Sequence, residues 1–106
     1  MFDSRQLEYI IVIADEQSLT RAADRLYISQ SALSQQLAHL YESGTPRLFY
    51  YQGRKMRLTN AGKIYVNAAR TILHLKEMGE QRIREIASNE QGNREQQKVV
   101  DKTQSG

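Results

Sequence analysis

The stretch from Ser18 to Tyr41, SLTRAADRLYISQSALSQQLAHLY, constrains the fold of this chain more than any other. Two short amphipathic segments, each opened by a serine, are separated by a tight break. In the first, Leu19, Ala22, Ala23 and Leu26 fall at i, i+3, i+4 and i+7, the spacing of one helix face. Ser18 is placed to cap that helix, its hydroxyl accepting from an orphan backbone N–H of the first turn. The small pair Ala22-Ala23 admits another helix at close range. After Tyr27 and Ile28, Ser29 can cap a second helix, in which Leu33, Leu37 and Leu40 form an inward stripe. The opposite face carries Gln30, Ser31, Ser34 and Gln35, short polar groups with both donors and acceptors. Helix, turn and capped helix with a polar outer face is the pattern of a helix-turn-helix. On composition alone the same stretch is also a plain helical hairpin, so the flanking sequence has to decide.

A chain of 106 residues suits one small domain with an appendage. With 40% hydrophobic residues its core is thin, and such domains often complete their burial by dimerising. The formal net charge of +3 is too mild to imply nucleic acid by its size. Its distribution says more: from Arg47 to Lys63 the chain holds five basic residues (Arg47, Arg54, Lys55, Arg57, Lys63) and no acidic one. The absence of cysteine excludes a disulfide framework and a thiolate metal site. The apolar run Ile10 to Ala14 is too short for a signal-peptide core or a membrane span. A soluble, intracellular protein without metal, cofactor or membrane partner is therefore expected.

Upstream, Asp3 or Ser4 can cap a first helix whose stripe is Leu7, Ile10, Ile11 and Ala14, with Val12 and Ile13 thickening the apolar side. Asp15, Glu16 and Gln17 end it. Downstream, Glu42-Ser43-Gly44-Thr45-Pro46 is a helix stop. The β-prone run Leu48-Phe49-Tyr50-Tyr51, the turn Gln52-Gly53-Arg54-Lys55 and the alternating Met56-Arg57-Leu58-Thr59 predict a short hairpin with a basic tip. A two-stranded ribbon does not stand alone in water, so Leu48, Phe49, Met56 or Leu58 must pack on the helices. Thr59 or Asn60 then caps a long helix, with Gly62 a tolerable cost in its first turn.

Along that helix Ile64, Ala68, Ile72, Leu75, Gly79, Ile83 and Ile86 recur at steps of four and three, with charged residues between them. A narrow stripe that outruns so small a body needs a partner along its length, and a symmetry mate would supply one. A helix folded back on its own domain is the competing reading. From Ser88 onward the chain is polar and poor in large apolar residues, which predicts a disordered tail or linker. The expected organisation is a DNA-binding domain over 1–60, a linker and dimerisation helix over 61–88 and a disordered tail over 89–106.

Taken together, LEYIIVIADEQSL, TRAADRLYISQSALSQQLAHL and RLFYYQGRKMRLTNAG resemble the DNA-binding domain of LysR-type transcriptional regulators over roughly residues 2 to 88. The residues that carry the resemblance are Ser18, Ala22-Ala23, Leu26, Ser29-Gln30, Leu33-Ser34, Gln36, Leu48-Phe49, Leu58-Thr59 and Ala61-Gly62. It implies a mainly α fold, a winged helix-turn-helix of three helices plus a short β-hairpin wing, followed by a long linker helix that pairs two subunits. It also implies operator binding as a dimer or tetramer of full-length chains, and with it a cytoplasmic, nucleoid-associated protein. The family's base-reading positions fall on Gln30, Ser31, Ser34 and Gln35. Glutamine can bond adenine bidentately, and serine pairs with more than one base. Ser18, Thr20 and Arg21 at the start of the preceding helix are suited to phosphate, as that helix end is itself partly positive. Arg54 and Lys55 match the family's wing contact to backbone or minor groove, with Thr59 behind them. Ile64, Ala68, Ile72, Leu75, Gly79 and Ile83 would form the dimer seam.

Two departures stand out. Where the family has a Leu-Glu pair, then a leucine and a glycine, this chain has Leu40-Tyr41, then Gly44-Thr45-Pro46 one position early; the change removes an apolar packing residue expected at the end of the recognition helix. The family's arginine after the Leu-Phe pair is replaced by Tyr51. The large effector-binding domain that follows the linker helix in the family is not within these residues, so no small-molecule site is expected in them. An enzyme fares badly, since His39 and His74 are far apart and no paired carboxylates, phosphate-cradling loop or zinc motif accompany them. The remaining alternative is a short interaction protein that heterodimerises with a full-length LysR-type relative and modulates its DNA binding.

Overall fold

The computed structural model describes residues 1–92, in the order α1 (Ser4–Glu16), α2 (Leu19–Leu26), α3 (Gln30–Glu42), β1 (Phe49–Gln52), β2 (Lys55–Leu58) and α4 (Asn60–Gly92). The chain divides into two compact units, Met1–Leu73 and His74–Gly106. The first is a winged helix-turn-helix.

Each of the first three helices starts where a short polar side chain can satisfy its first turn. Asp3 accepts from the Gln6 N–H at 2.9 Å, Ser18 from Arg21 at 3.2 Å and Ser29 from Ala32 at 3.0 Å. Of the two caps the sequence offers for α1, Asp3 is the one used. Helix ends are less regular. Gln17 and Tyr27 take up left-handed backbone, with φ of 57° and 58°, positions where glycine is the usual residue. At Tyr27 the chain closes α2 through Tyr27 N–H to Asp24 C=O and Ile28 N–H to Ala23 C=O. The turn into α3 then takes only Tyr27, Ile28 and Ser29.

The core is built from Leu7, Ile10, Val12 and Ile13 of α1, Ala22-Ala23 of α2, and Leu33 and Leu40 of α3. Ile13 is fully buried while Ile11 and Ala14 are only partly so, which moves the centre of the α1 stripe away from the expected Ile11/Ala14 edge. The wing closes this core with Leu48, Phe49 and Met56, and Leu58 packs at its margin. Strand β1 starts one residue later than the sequence suggests, at Phe49, and β2 one residue earlier. Gln52 pairs with Lys55, so the turn is only Gly53-Arg54. Gly53 at φ 62° supplies the positive φ that the first central position of a type II′ hairpin requires. The Met56 N–H donates to the Gln17 carbonyl at 3.0 Å, tying β2 to the end of α1.

The departure at the end of α3 has a physical account. Gly44 N–H bonds the Tyr41 carbonyl and Thr45 N–H the Leu40 carbonyl, which is the Schellman closure of a helix. Gly44, at φ 107°, permits it. Tyr41 then replaces the expected apolar packing group: its ring packs against the core cluster and its hydroxyl accepts from the Leu48 N–H at 3.3 Å.

The first turns of α4 complete the domain through Tyr65, Val66 and Ala69, a face one position away from the expected stripe. The phenol of Tyr65 donates to the Met1 carbonyl at 2.6 Å and its ring stacks on Phe2. Arg70 is held to Asp15 at 2.6 Å, and Arg25 lies beside both Asp15 and Glu16. Gly62 is no cost but a requirement, because a side-chain carbon there would strike the Leu48 carbonyl oxygen. In the second unit, helix continues to Gly92, so residues 89–92, expected in the tail, are helical. The rest of the expected tail, 93–106, lies outside the described residues. Spaced i, i+4 pairs, Lys76 with Glu80 and Gln81 with Glu85, line the surface of this helix.

Candidate nucleic-acid interface

The polar row on α3 is presented as its spacing predicts. Gln30, Ser31 and Gln35 are exposed and Ser34 is half-buried, while Leu33 and Leu40 turn inward. The first turn is ordered by local bonds. Thr20 donates its hydroxyl to Gln30 Oε1 at 2.9 Å, and Ser29 Oγ lies 3.4 Å from Ser31 Oγ. The carbonyl side of Gln30 is thereby anchored to α2, and its amide NH₂ has no partner among the described residues. Thr20, a phosphate candidate by sequence, thus sits against the base-reading candidate Gln30.

The other cationic candidates converge. Ser18 and Arg21 at the start of α2 and Arg54 and Lys55 at the wing tip line one open cleft, together with Glu16 and Gln17. Residues separated by more than thirty positions in sequence therefore meet around a single helix N-terminus. Ser18 is occupied there as the α2 cap. Thr59 is placed differently. Its hydroxyl donates to the Arg47 carbonyl at 2.7 Å and accepts from the Gly62 N–H at 3.0 Å, so it caps α4 and pins the wing base. That hydroxyl is committed within the fold.

Electrostatics separates two kinds of cation. Arg25 and Arg70 are paired with Asp15 and Glu16 and serve the packing of α1, α2 and α4. Arg47, Arg54, Lys55, Arg57 and Lys63 are all exposed and have no carboxylate partner among the described residues. In the sequence Arg47 is only one of five charges; the structure lays its guanidinium over the Tyr41 ring at 5.0 Å from the centroid. Nothing in the linear sequence signals that contact, since it depends on the turn that carries Arg47 back across the end of α3.

On α4, the seam candidates Ile64, Ile72, Leu75 and Ile83 are 72%, 38%, 61% and 68% exposed. Ala68 is half-buried, and a Cβ on Gly79 would meet nothing within 4 Å. His39 lies 3.7 Å from Glu42 on the surface of α3. Among the described residues no group of His, Cys, Asp and Glu is placed to hold a metal ion, and no helix is long and apolar enough to cross a membrane.

This architecture is shared. Residues 4–63 match the family of bacterial regulatory helix-turn-helix proteins of the lysR type. The HTH-type transcriptional regulator BudR of Klebsiella aerogenes is 42% identical over 90 residues, which are 84% of this chain and 62% of BudR. Among solved structures, the BenM DBD in complex with catB site 1 DNA superposes with a TM-score of 0.76 at 31% identity, covering 81% of this chain and 96% of that one. The CbnR DBD–DNA complex does so with a TM-score of 0.73 at 33% identity, covering 80% and 98%. The chain spans between 25% and 62% of the length of curated relatives it matches. The chain therefore belongs to the lysR family of bacterial regulatory helix-turn-helix proteins, and its first unit is that family's winged helix-turn-helix domain.

Proposed function

We propose that this chain binds double-stranded DNA sequence-specifically as part of transcription regulation, with α3 in the major groove and the basic wing on the backbone or minor groove. The observation that carries the reading is the polar row of exposed Gln30, Ser31 and Gln35 and half-buried Ser34, flanked by cations that form no ion pair with a carboxylate among the described residues. Phosphate contacts supply most of the affinity and base edges the specificity. Arg21, Arg54 and Lys55 take the first role, around the partly positive start of α2. Gln30, Ser31, Ser34 and Gln35 take the second. The DNA complexes formed by BenM and CbnR domains of the same fold support this assignment.

The active form in this reading is a homodimer joined through the exposed α4 stripe, placing two α3 helices on successive half-sites. Binding is measured against salt concentration for a selected and a random duplex. Arg54→Ala weakens both and flattens the salt dependence, whereas Gln30→Ala or Ser34→Ala changes sequence preference. Unchanged slopes for Arg54→Ala would remove the wing from the interface. If the chain shifts no duplex by itself but joins a full-length relative and weakens that protein's binding, it is an interaction protein instead.

A further inference from the structure

Arg47 lies on a part of the surface that the helix-turn-helix reading leaves without a role. Tyr41, whose ring it covers, is seven residues beyond Ser34 on α3. Seven residues advance the helix almost two full turns, so Ser34, Ala38 and Tyr41 share one face at i, i+4 and i+7. The same advance is a rise of about 10 Å. Ser34, Ala38, Tyr41 and Arg47 also line one shallow groove. The recognition face therefore continues through Tyr41 to a guanidinium brought in by the turn before the wing.

That guanidinium is held in place. The Tyr41 hydroxyl accepts from the Leu48 N–H at 3.3 Å, which orients the ring, and the ring attracts the guanidinium that lies over it. Neighbouring backbone is also fixed, since the Arg47 carbonyl accepts from Thr59 Oγ1 at 2.7 Å. The one carboxylate in the groove, Glu42, lies by His39 and makes no ion pair with Arg47. Lying over the Tyr41 ring, the Arg47 guanidinium makes no hydrogen bond or ion pair among the described residues, so its fork of N–H donors is open to the oxygens of a phosphate.

We infer that Arg47 is a DNA-phosphate contact, pre-positioned by Tyr41 at the far end of the recognition face. The inference rests on the reading that α3 enters the major groove. That groove is about 12 Å wide. A cation roughly 10 Å along the helix from the base-reading turn reaches the phosphates on its opposite wall. Arg47 and the Arg21–Arg54–Lys55 cleft would then hold different stretches of backbone, so their contributions to the salt dependence are separate.

The test is a salt titration of duplex binding with the whole chain, using a selected and a random duplex. Removing one phosphate contact lowers the log–log slope by about 0.9. In the homodimer two copies of Arg47 meet the duplex, so Arg47→Ala is expected to lower the slope by about 1.8 and to weaken both duplexes at least several-fold. Arg47→Lys is expected to keep the slope, because charge remains, and to recover only part of the affinity. Tyr41→Phe keeps the ring, whereas Tyr41→Leu removes the stack and weakens binding toward the level of Arg47→Ala; circular dichroism checks that both variants remain folded. A wild-type slope in Arg47→Ala, with Arg54→Ala still lowering it, overturns this inference and leaves the DNA reading standing. Failure of the wild-type chain to bind any duplex, alone or as a dimer, overturns both.

Discussion

Gly62 and Leu48 touch backbone to backbone: a Cβ on Gly62 would fall on the Leu48 carbonyl oxygen, with a Leu58 methyl 2.9 Å away. The same carbonyl accepts the Thr59 N–H at 3.0 Å, so the start of α4 and the base of the wing share one point of closure. This closeness explains why a residue of poor helix propensity stands in the first turn of a long helix.

Gly62→Ala sets helix propensity against packing, and the two predict opposite signs. Propensity alone would make alanine stabilising by up to about 1 kcal/mol. Overpacking of a well-filled site costs about 1–3 kcal/mol, and here the atom struck is backbone, which yields little. The expected outcome is a net loss of stability on the order of 1–2 kcal/mol, read from urea unfolding midpoints. A midpoint at or above that of the wild type would mean the wing can move away from α4 freely.

Tyr65 makes the domain sensitive to alkali. Burial pushes its phenol from the ordinary 10.0 up to about 12, and the charge of Asp3 adds to the effect. A raised pKa means that the folded state holds the proton more tightly than the unfolded chain. The associated stability is fully present below pH 10 and is lost as pH rises from about 10 through 12. A rise of this size corresponds to an effect on the order of 2 kcal/mol. Tyr65→Phe loses the bond to the Met1 carbonyl, at a cost of about 1 kcal/mol near neutrality. Its stability curve should then fall less steeply than that of the wild type between pH 10 and 12. Parallel curves for the two proteins over that range would show that Tyr65 titrates alike folded and unfolded.

What is legible in the sequence follows from how local the physics is. The caps Asp3, Ser18 and Ser29 act on backbone three residues away, and the inward stripe of α3 needs only its own period. The αL turns at Gln17 and Tyr27 leave no such mark, because neither residue is the glycine that usually signals one. Tyr65, Val66 and Ala69 escape a periodicity reading because α4 carries two apolar faces side by side, and periodicity favours the longer one. The same limit applies to the candidate interface. The polar row and the basic wing are readable as runs of residue types. The meeting of Arg21 with Arg54, the commitment of Thr59 to capping and the seating of Arg47 on Tyr41 all require chain segments that only the tertiary fold brings together.

The exposed stripe of α4 carries the last prediction. A helix of 33 residues that leaves Leu75, Met78, Ile83 and Ile86 open to water beyond its packed first turns has an unmet need for burial. Fully covering such a side chain contributes roughly 1.5–3 kcal/mol, so these four from each of two chains supply roughly 12–24 kcal/mol, enough to offset an association cost of about 4–15 kcal/mol. Ile72→Lys combined with Leu75→Glu places charges on that stripe while leaving the packed Tyr65–Val66–Ala69 face intact. Sedimentation is expected to show monomers that remain folded by circular dichroism, with a thermal midpoint below that of wild type and no longer dependent on protein concentration. Duplex affinity should fall by roughly 10²-fold or more, because a second half-site is no longer bound at high effective concentration. An intact dimer would place the seam elsewhere. A monomer with unchanged affinity would mean that one domain accounts for all of the binding and that pairing through α4 serves another purpose.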